Sequence, residues 1–176
     1  MKSEKSTSIV RNVQTLAVLC IGWAGFAVCQ ADETPRQATV RERGADVMPF
    51  DLSATAHVFT KTSTGGVQRV LTKDPTDAKQ AQSVRAHLTD IARRFGRRDF
   101  SDPTHVHGAG MPGLAALEAS APGELLVQYR DVPSGGEIEY RSDRPAIVTA
   151  LHDWFDAQVS DHGRDAMMGH DHAMPQ

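Results

Sequence analysis

The fold is decided by a hairpin sequence, Thr55-Ala-His-Val-Phe-Thr-Lys-Thr-Ser-Thr-Gly-Gly-Val-Gln-Arg-Val-Leu-Thr72. Residues 55–62 are rich in β-branched and aromatic side chains, which favour an extended strand. The turn Ser63-Thr64-Gly65-Gly66 contains the glycine pair that supplies the positive φ angles of a tight hairpin. Residues 67–72 are therefore predicted to return as a second strand.

The second half of the chain repeats this plan. Residues 124–130 and 137–142 are predicted strands on either side of a second turn, Pro133-Ser134-Gly135-Gly136. An apolar stripe typical of a helix follows each hairpin, over residues 74–95 and 143–159. The sequence predicts an α+β fold of two ββα units, with two amphipathic helices on one face of an antiparallel sheet. Duplication of one unit and chance repetition of common parts both explain the shared plan.

The N-terminal end has the form of a secretory signal. Lys2 and Lys5 precede an apolar run over residues 16–28, and small residues follow up to Ala31. The run is shorter than the roughly 20 residues that span a bilayer. We therefore expect residues 1–31 to be a cleaved signal peptide rather than a membrane anchor, which implies an exported, periplasmic protein with no stable membrane span.

The remaining chain divides into three parts. Residues 32–49 are polar and are predicted to form a flexible leader, residues 50–160 a single α+β domain, and residues 161–176 a disordered tail rich in Met and His. The net charge of −3 argues against nucleic acid as a partner. Both cysteines lie in the signal peptide, which excludes Cys-based zinc sites and Cys nucleophiles from the exported chain.

One candidate metal site lies in the Gly- and Pro-rich stretch of residues 104–113. It contains His105, His107 and Met111, and an extended His-x-His pair would project both imidazoles to the same side. Imidazole binds copper, zinc, iron and nickel, and a thioether favours Cu(I). The alternative is an ordinary surface connector that happens to contain two histidines.

The tail is the second candidate metal site. A His-rich tract is a recognised metal-binding composition, and methionine without cysteine favours copper over zinc. The alternative is a disordered polar tail with incidental methionines. The candidate ligands are His162, Met167, Met168, His170, His172 and Met174.

Two further histidines are candidate ligands. His57 lies in the first strand and His152 on the second helix. Each alone is best explained as a partly buried, hydrogen-bonded residue. If several histidines converge, a metal site becomes the better interpretation, because carboxylates commonly orient metal-bound imidazoles.

The chain between Met48 and Gly163 resembles a family of small exported proteobacterial proteins of unknown function. The resemblance is carried by Met48-Pro49-Phe50-Asp51-Leu52, His57-Val58-Phe59, Gly65-Gly66, Asp99-Phe100-Ser101-Asp102-Pro103, His107-Gly108, Met111-Pro112-Gly113, Leu151-His152-Asp153-Trp154-Phe155-Asp156-Ala157-Gln158 and Asp161-His162-Gly163. Separately, the tail is similar in composition to Met/His-rich segments of periplasmic copper-handling proteins.

Some members of that family are named aspartate carbamoyltransferase. A transcarbamoylase has two α/β domains, about twice this length, and a Ser-Thr-Arg-Thr phosphate loop. The nearest string here, Lys61-Thr62-Ser63-Thr64-Gly65-Gly66, lacks the arginine and lies in the predicted hairpin turn. The resemblance therefore implies a family but no activity.

Three functions follow as hypotheses. The first is periplasmic copper buffering, delivery or resistance, with His105, His107 and Met111, joined by His57 or His152, as the ordered site. The second is a small enzyme in which His107 or His152 is a general base and an aspartate orients it; the candidate aspartates are Asp102, Asp153 and Asp156. The chain lacks a nucleophile motif, a phosphate loop and a His-Glu-x-x-His signature. The third is a structural or partner-binding periplasmic domain without catalysis, whose histidines have no common role and whose partner would be another periplasmic protein.

Overall fold

The computed structural model describes residues 32–170, so the predicted signal peptide and the end of the tail lie outside the described residues. The helices in this part of the chain are α1 (Pro35–Val47), α2 (Ala78–Phe95), α3 (Ser101–His107), α4 (Leu114–Glu118) and α5 (Pro145–His162). The strands are β1 (Thr55–Thr62), β2 (Gly65–Thr72), β3 (Leu126–Val132), β4 (Gly135–Arg141) and β5 (Ala166–Met168).

The strands form one sheet in the order β3-β4-β2-β1-β5. The pairs β1–β2 and β3–β4 are the two predicted hairpins, and β2 joins them by pairing antiparallel with β4. Only β5 is parallel to its neighbour, β1. The predicted α+β class is confirmed, and the sheet has one strand, β5, in addition to the four that the sequence predicted.

A single apolar core lies between one face of this sheet and the two long helices. Both α2 and α5 cover that face, because their apolar stripes meet the inward-facing residues of β1, β2 and β4. The largest buried side chains include Phe59, Leu88, Ile138, Tyr140, Trp154 and Phe155. Among residues 32–170, no helix combines the length and the apolar character needed to cross a membrane.

The two ββα units interlock. Helix α2 follows the β1–β2 hairpin but packs mainly on β3 and β4, whereas α5 follows the β3–β4 hairpin and packs on β1, β2 and β5. Each helix therefore covers the hairpin of the other unit. Because neither unit buries its own apolar face, we expect the two units to fold together rather than separately.

The predicted flexible leader is wrong over most of its length, because residues 35–47 form α1. The Thr34 hydroxyl accepts a hydrogen bond from the Gln37 backbone at 3.3 Å, and Gln37 Oε1 accepts one from the Thr34 backbone at 2.9 Å. The buried residues of this helix are Val40 and Gly44. Polar contacts rather than an apolar stripe hold α1 in place, so hydrophobic periodicity did not reveal it.

The predicted histidine loop of residues 104–113 is wrong in its first half, because α3 extends to His107. Residues two apart on a helix point about 200° away from each other. His105 therefore faces outward while His107 is buried. The predicted common projection of the two imidazoles does not occur.

The predicted disordered tail is ordered where it begins. Asp161 and His162 belong to the last turn of α5, and residues 166–168 form β5 beside β1, with Ala166 opposite His57. A three-residue strand is too short to show the alternation on which strand prediction depends. His172 and Met174 lie outside the described residues.

Candidate functional site

A cleft in the core is the candidate site. It lies between the sheet and the helices α2, α3 and α5, and its cavity volume is about 60 Å³. The polar residues of its wall are His57, Gln68, His87, Asp102, His107, Gln158 and His162. Three of the predicted metal ligands, His57, His107 and His162, therefore lie in one place, and we call them the histidine cluster.

Three different elements supply the histidine cluster. His57 lies on β1 two residues before Phe59, so strand alternation points both side chains into the core. His107 is the last residue of α3. His162 ends a row of α5 residues four apart, Trp154, Gln158 and His162, which share one face of that helix.

His162 contacts both other members of the histidine cluster. Its ring centroid is 5.2 Å from that of His57 and 5.1 Å from that of His107. The His162 and His107 rings meet edge to face, with 78° between their planes. The His162 ring is therefore in van der Waals contact with each of the other two imidazoles.

The carboxylate of Asp161 is hydrogen-bonded to the ring of His107. Asp161 Oδ2 lies 2.8 Å from His107 Nδ1, and both side chains are buried. The guanidinium of Arg36 donates two hydrogen bonds of 2.5 Å to the same carboxylate. Because Asp161 accepts at Nδ1, the neutral ring carries its proton there and keeps a lone pair on Nε2.

Burial keeps the histidine cluster neutral at pH 7. Desolvation lowers the pKa of His57 to about 4 and lowers the pKa of His162 well below its ordinary value. Burial also lowers the pKa of His107, against the opposing effect of its hydrogen bond to Asp161. Neutral imidazole is the form that binds metal ions and accepts protons.

His57 also carries an unsatisfied nitrogen. Its Nε2 is buried and has no hydrogen-bond partner among the described residues. A buried polar atom without a partner is uncommon and unfavourable, so it indicates either a ligand or an ordered water. The ring that carries this nitrogen contacts the imidazole of His162.

The first predicted metal set does not form. His105 is half exposed, and its Nε2 lies 3.3 Å from Asp46. Met111 is buried in the hydrophobic core. His152 donates from Nε2 to the carbonyl oxygens of Gly65 and Thr62, at 2.8 and 3.1 Å, which fastens α5 to the β1–β2 turn. The predicted grouping of His105, His107 and Met111 is therefore wrong, and His152 has a structural contact.

The described tail residues are exposed. Met167 and Met168 lie on β5 and are among the most exposed large apolar side chains of residues 32–170. His170 is exposed as well. Of the predicted tail ligands that lie within residues 32–170, His162 alone joins the histidine cluster.

The predicted partners for a catalytic histidine were also wrong. Asp102 forms an ion pair with Arg94, and Asp156 forms one of 2.6 Å with Lys61. Asp153 is exposed. The partner of His107 is instead Asp161, which no local sequence pattern indicates because the two residues are 54 positions apart.

The histidine cluster makes the free energy of unfolding depend on pH, and this dependence can be measured. Between pH 6.5 and 4 the unfolded chain binds a proton on His57 that the folded protein does not, so stability rises with pH across this window. We expect acidification to pH 4 to lower the free energy of unfolding by about 3 kcal/mol through His57 alone. His107 and His162 act in the same direction.

The measurement is urea unfolding at a series of pH values. His57→Leu removes one titrating group, and we expect its stability to depend less steeply on pH than that of the unmodified protein. If the stability of the variant depended on pH as steeply as that of the unmodified protein, folding would not lower the pKa of His57.

The histidine cluster is not a preformed metal centre. In residues 32–170, no group of three His, Cys, Asp or Glu side chains is arranged to hold a metal ion. The geometry instead provides a polar cleft with neutral imidazoles and one fixed His–Asp pair. No protein-family model, no curated protein and no solved structure matches this chain.

Proposed function

We propose that the protein is an exported metal-binding protein that holds a transition-metal ion through His57, His107 and His162. The observation that carries the proposal is the contact of three neutral imidazoles from three separate elements, two of them buried and His162 half-buried. Imidazole nitrogens are ligands for copper, zinc and nickel. The signal-like residues 1–31 support export to the periplasm.

The surroundings of His107 support the same proposal. Metal-bound histidines commonly donate their second ring nitrogen to a carboxylate, which fixes the tautomer and the ring orientation. Asp161 occupies that position for His107, and Arg36 in turn holds Asp161. Metal binding requires the imidazoles of the histidine cluster to turn toward a common point, because they do not share one in the structure.

Copper is the proposed ion. Among divalent first-row metals, a site of given nitrogen ligands binds copper most tightly, and zinc less tightly. The thioether of Met111 does not line the cleft, whereas that of Met48 does, so the lining does not select between Cu(I) and Cu(II). The exposed Met167 and Met168, with the His-rich residues that follow, form a second, exchangeable site for capture or delivery.

The test is a Cu²⁺ and Zn²⁺ titration of the full chain in the presence of a competing chelator. We compare His57→Leu, His107→Asn and His162→Leu with the unmodified protein. Each loss of a ligand lowers affinity by more than about 100-fold, the upper end of the effect seen for an outer-shell partner. His107→Asn is the most specific change, because it keeps a donor near Asp161 and removes Nε2.

Two controls separate the core from the tail. His105→Asn alters a half-exposed histidine outside the cleft, and we expect no change in affinity. A chain ending at Gly169 retains β5 but lacks the last histidines and methionine, and it keeps the tight site. Unchanged affinity in all three core variants would show that the histidine cluster binds no ion.

A second candidate function is acid–base catalysis. The His107–Asp161 hydrogen bond of 2.8 Å gives a neutral base with an oriented ring in a cleft, which is the arrangement that general-base catalysis uses. A chelator distinguishes the two functions: it abolishes a metal-dependent activity and leaves a purely acid–base activity unchanged.

A further inference from the structure

The cleft continues beyond the histidine cluster along α5. Trp154, Gln158 and His162 lie four residues apart on this helix, and all three line the cleft. Each residue of a helix rises 1.5 Å, so Trp154 lies about 12 Å from His162 along the axis. The cleft therefore has a second end, away from the imidazoles.

The Trp154 end carries an unsatisfied donor. The side chain is 1% exposed, and among the described residues its Nε1 has no hydrogen-bond partner. An indole N–H only donates, so it needs an acceptor from outside the side chains around it. A buried donor without an acceptor is unfavourable, and a bound oxygen would satisfy it.

A second donor belongs to the same cleft. Gln68 lies on β2, is buried, and lines the cleft with Trp154. Its Oε1 accepts a hydrogen bond of 2.8 Å from the Tyr140 hydroxyl. Because the acceptor end of the amide is used there, its NH₂ group is the end that can serve a ligand. Two donors suit a carbonyl oxygen, which has two lone pairs.

The wall of the cleft also carries apolar side chains, and its carboxylate is paired. The carboxylate that lines the cleft, Asp102, is paired with Arg94. Among residues 32–170, the cleft wall has no unpaired cation that would attract an anion, and burial disfavours an unpaired charge of either sign. The cavity volume of about 60 Å³ is that of the whole cleft, including the histidine end, and corresponds to about four or five water-sized spheres. The apolar residues of the wall include Val70, Leu88, Ile91, Phe95 and Val106.

We propose that this end of the cleft binds a small neutral carbonyl compound. The carbonyl oxygen accepts from Trp154 Nε1 and from the Gln68 amide, and the alkyl part packs on the apolar wall. A molecule of about four or five heavy atoms fits the cavity. The proposal does not rest on metal binding, because it uses none of the three histidines of the cluster.

The test uses butan-2-one as the probe and the full chain without metal, in the presence of EDTA. Saturation-transfer NMR reports binding, and the indole N–H resonance of Trp154, identified by its loss in Trp154→Phe, reports contact. We expect a saturable shift of that resonance. Trp154→Phe keeps the aromatic packing but loses the donor, so it weakens binding about tenfold.

A glutamine variant outside the cleft controls for nonspecific effects of substitution. Gln128 lies on β3 opposite Glu139, on the face of the sheet away from the core, so Gln128→Leu leaves binding unchanged. Butylammonium and butyrate serve as charged probes, and both bind at least about tenfold more weakly than butan-2-one because of desolvation.

Three results would overturn the proposal. An indole resonance that does not move with butan-2-one would show that water alone occupies this end. Equal binding to Trp154→Phe would place the probe elsewhere, and equal binding of a charged probe would contradict the neutral class. None of these results bears on the metal titration, so the two proposals fail separately.

Discussion

Replacing Gly113 with alanine lowers the free energy of unfolding by about 2–5 kcal/mol. Gly113 has φ +75° and ψ −26°, a left-handed conformation that costs an L-residue about 1–2 kcal/mol. An alanine Cβ would also lie 1.9 Å from the carbonyl oxygen of Ala150 on α5. Relieving that overlap by moving backbone adds about 1–3 kcal/mol. The glycine thus permits the chain after α3 to lie against α5, where His162 also lies.

Two other glycines provide the controls. Gly123 has φ +87° but a Cβ there would contact nothing within 4 Å, so Gly123→Ala tests the conformational cost alone, about 1–2 kcal/mol. Gly110→Ala has neither problem and leaves stability nearly unchanged. Urea unfolding of the three variants gives the ranking. If Gly113→Ala were no less stable than Gly123→Ala, the close approach to α5 would be disproved.

Replacing Asp161 with alanine lowers the free energy of unfolding by about 3 kcal/mol. Asp161 is 4% exposed and pairs with both His107 and Arg36. Removing one partner of a buried pair typically costs 3–5 kcal/mol. We expect the lower end of this range, because Arg36 is half exposed and its charge can return to water.

Asparagine at the same position separates shape from charge. Asp161→Asn keeps an oxygen that can accept from His107 Nδ1, so it destabilises less than alanine. If His107 binds a metal ion, Asp161→Asn also weakens that binding by about 10–100-fold, because the carboxylate no longer strengthens the imidazole. Urea unfolding and chelator competition measure the two effects. Unfolding of Asp161→Ala at the same urea concentration as the unmodified protein would show that the pair contributes nothing to the fold.

The features that sequence predicted well are local. Each hairpin depends on a glycine pair and on β-branched strands, and each long helix on an apolar stripe, so both follow from neighbours in the chain. Strand β5 and helix α1 are stabilised by distant partners. β5 exists because β1 offers an open edge, and α1 because Arg36 meets Asp161, 125 residues later.

The candidate site shows the same division. His57, His107 and His162 were selected from composition, but only the fold shows that they meet and that His105 and Met111 do not. Residues 104–107 are helical rather than a loop, so the imidazoles of His105 and His107 point away from each other and not to the same side. The spacing of Trp154, Gln158 and His162 at four residues was a usable signal, since a polar row on an otherwise apolar helix commonly faces a cleft.

A crystal structure of the copper-loaded full chain is the decisive measurement for the metal proposal. Diffraction data recorded above and below the copper absorption edge locate the ion without reference to the protein. We expect one strong anomalous peak within bonding distance of the imidazoles of His57, His107 and His162. The hydrogen bond between Asp161 and His107 should be retained. A peak confined to the tail or to His105, or the absence of any bound copper, would show that the histidine cluster is not the metal site.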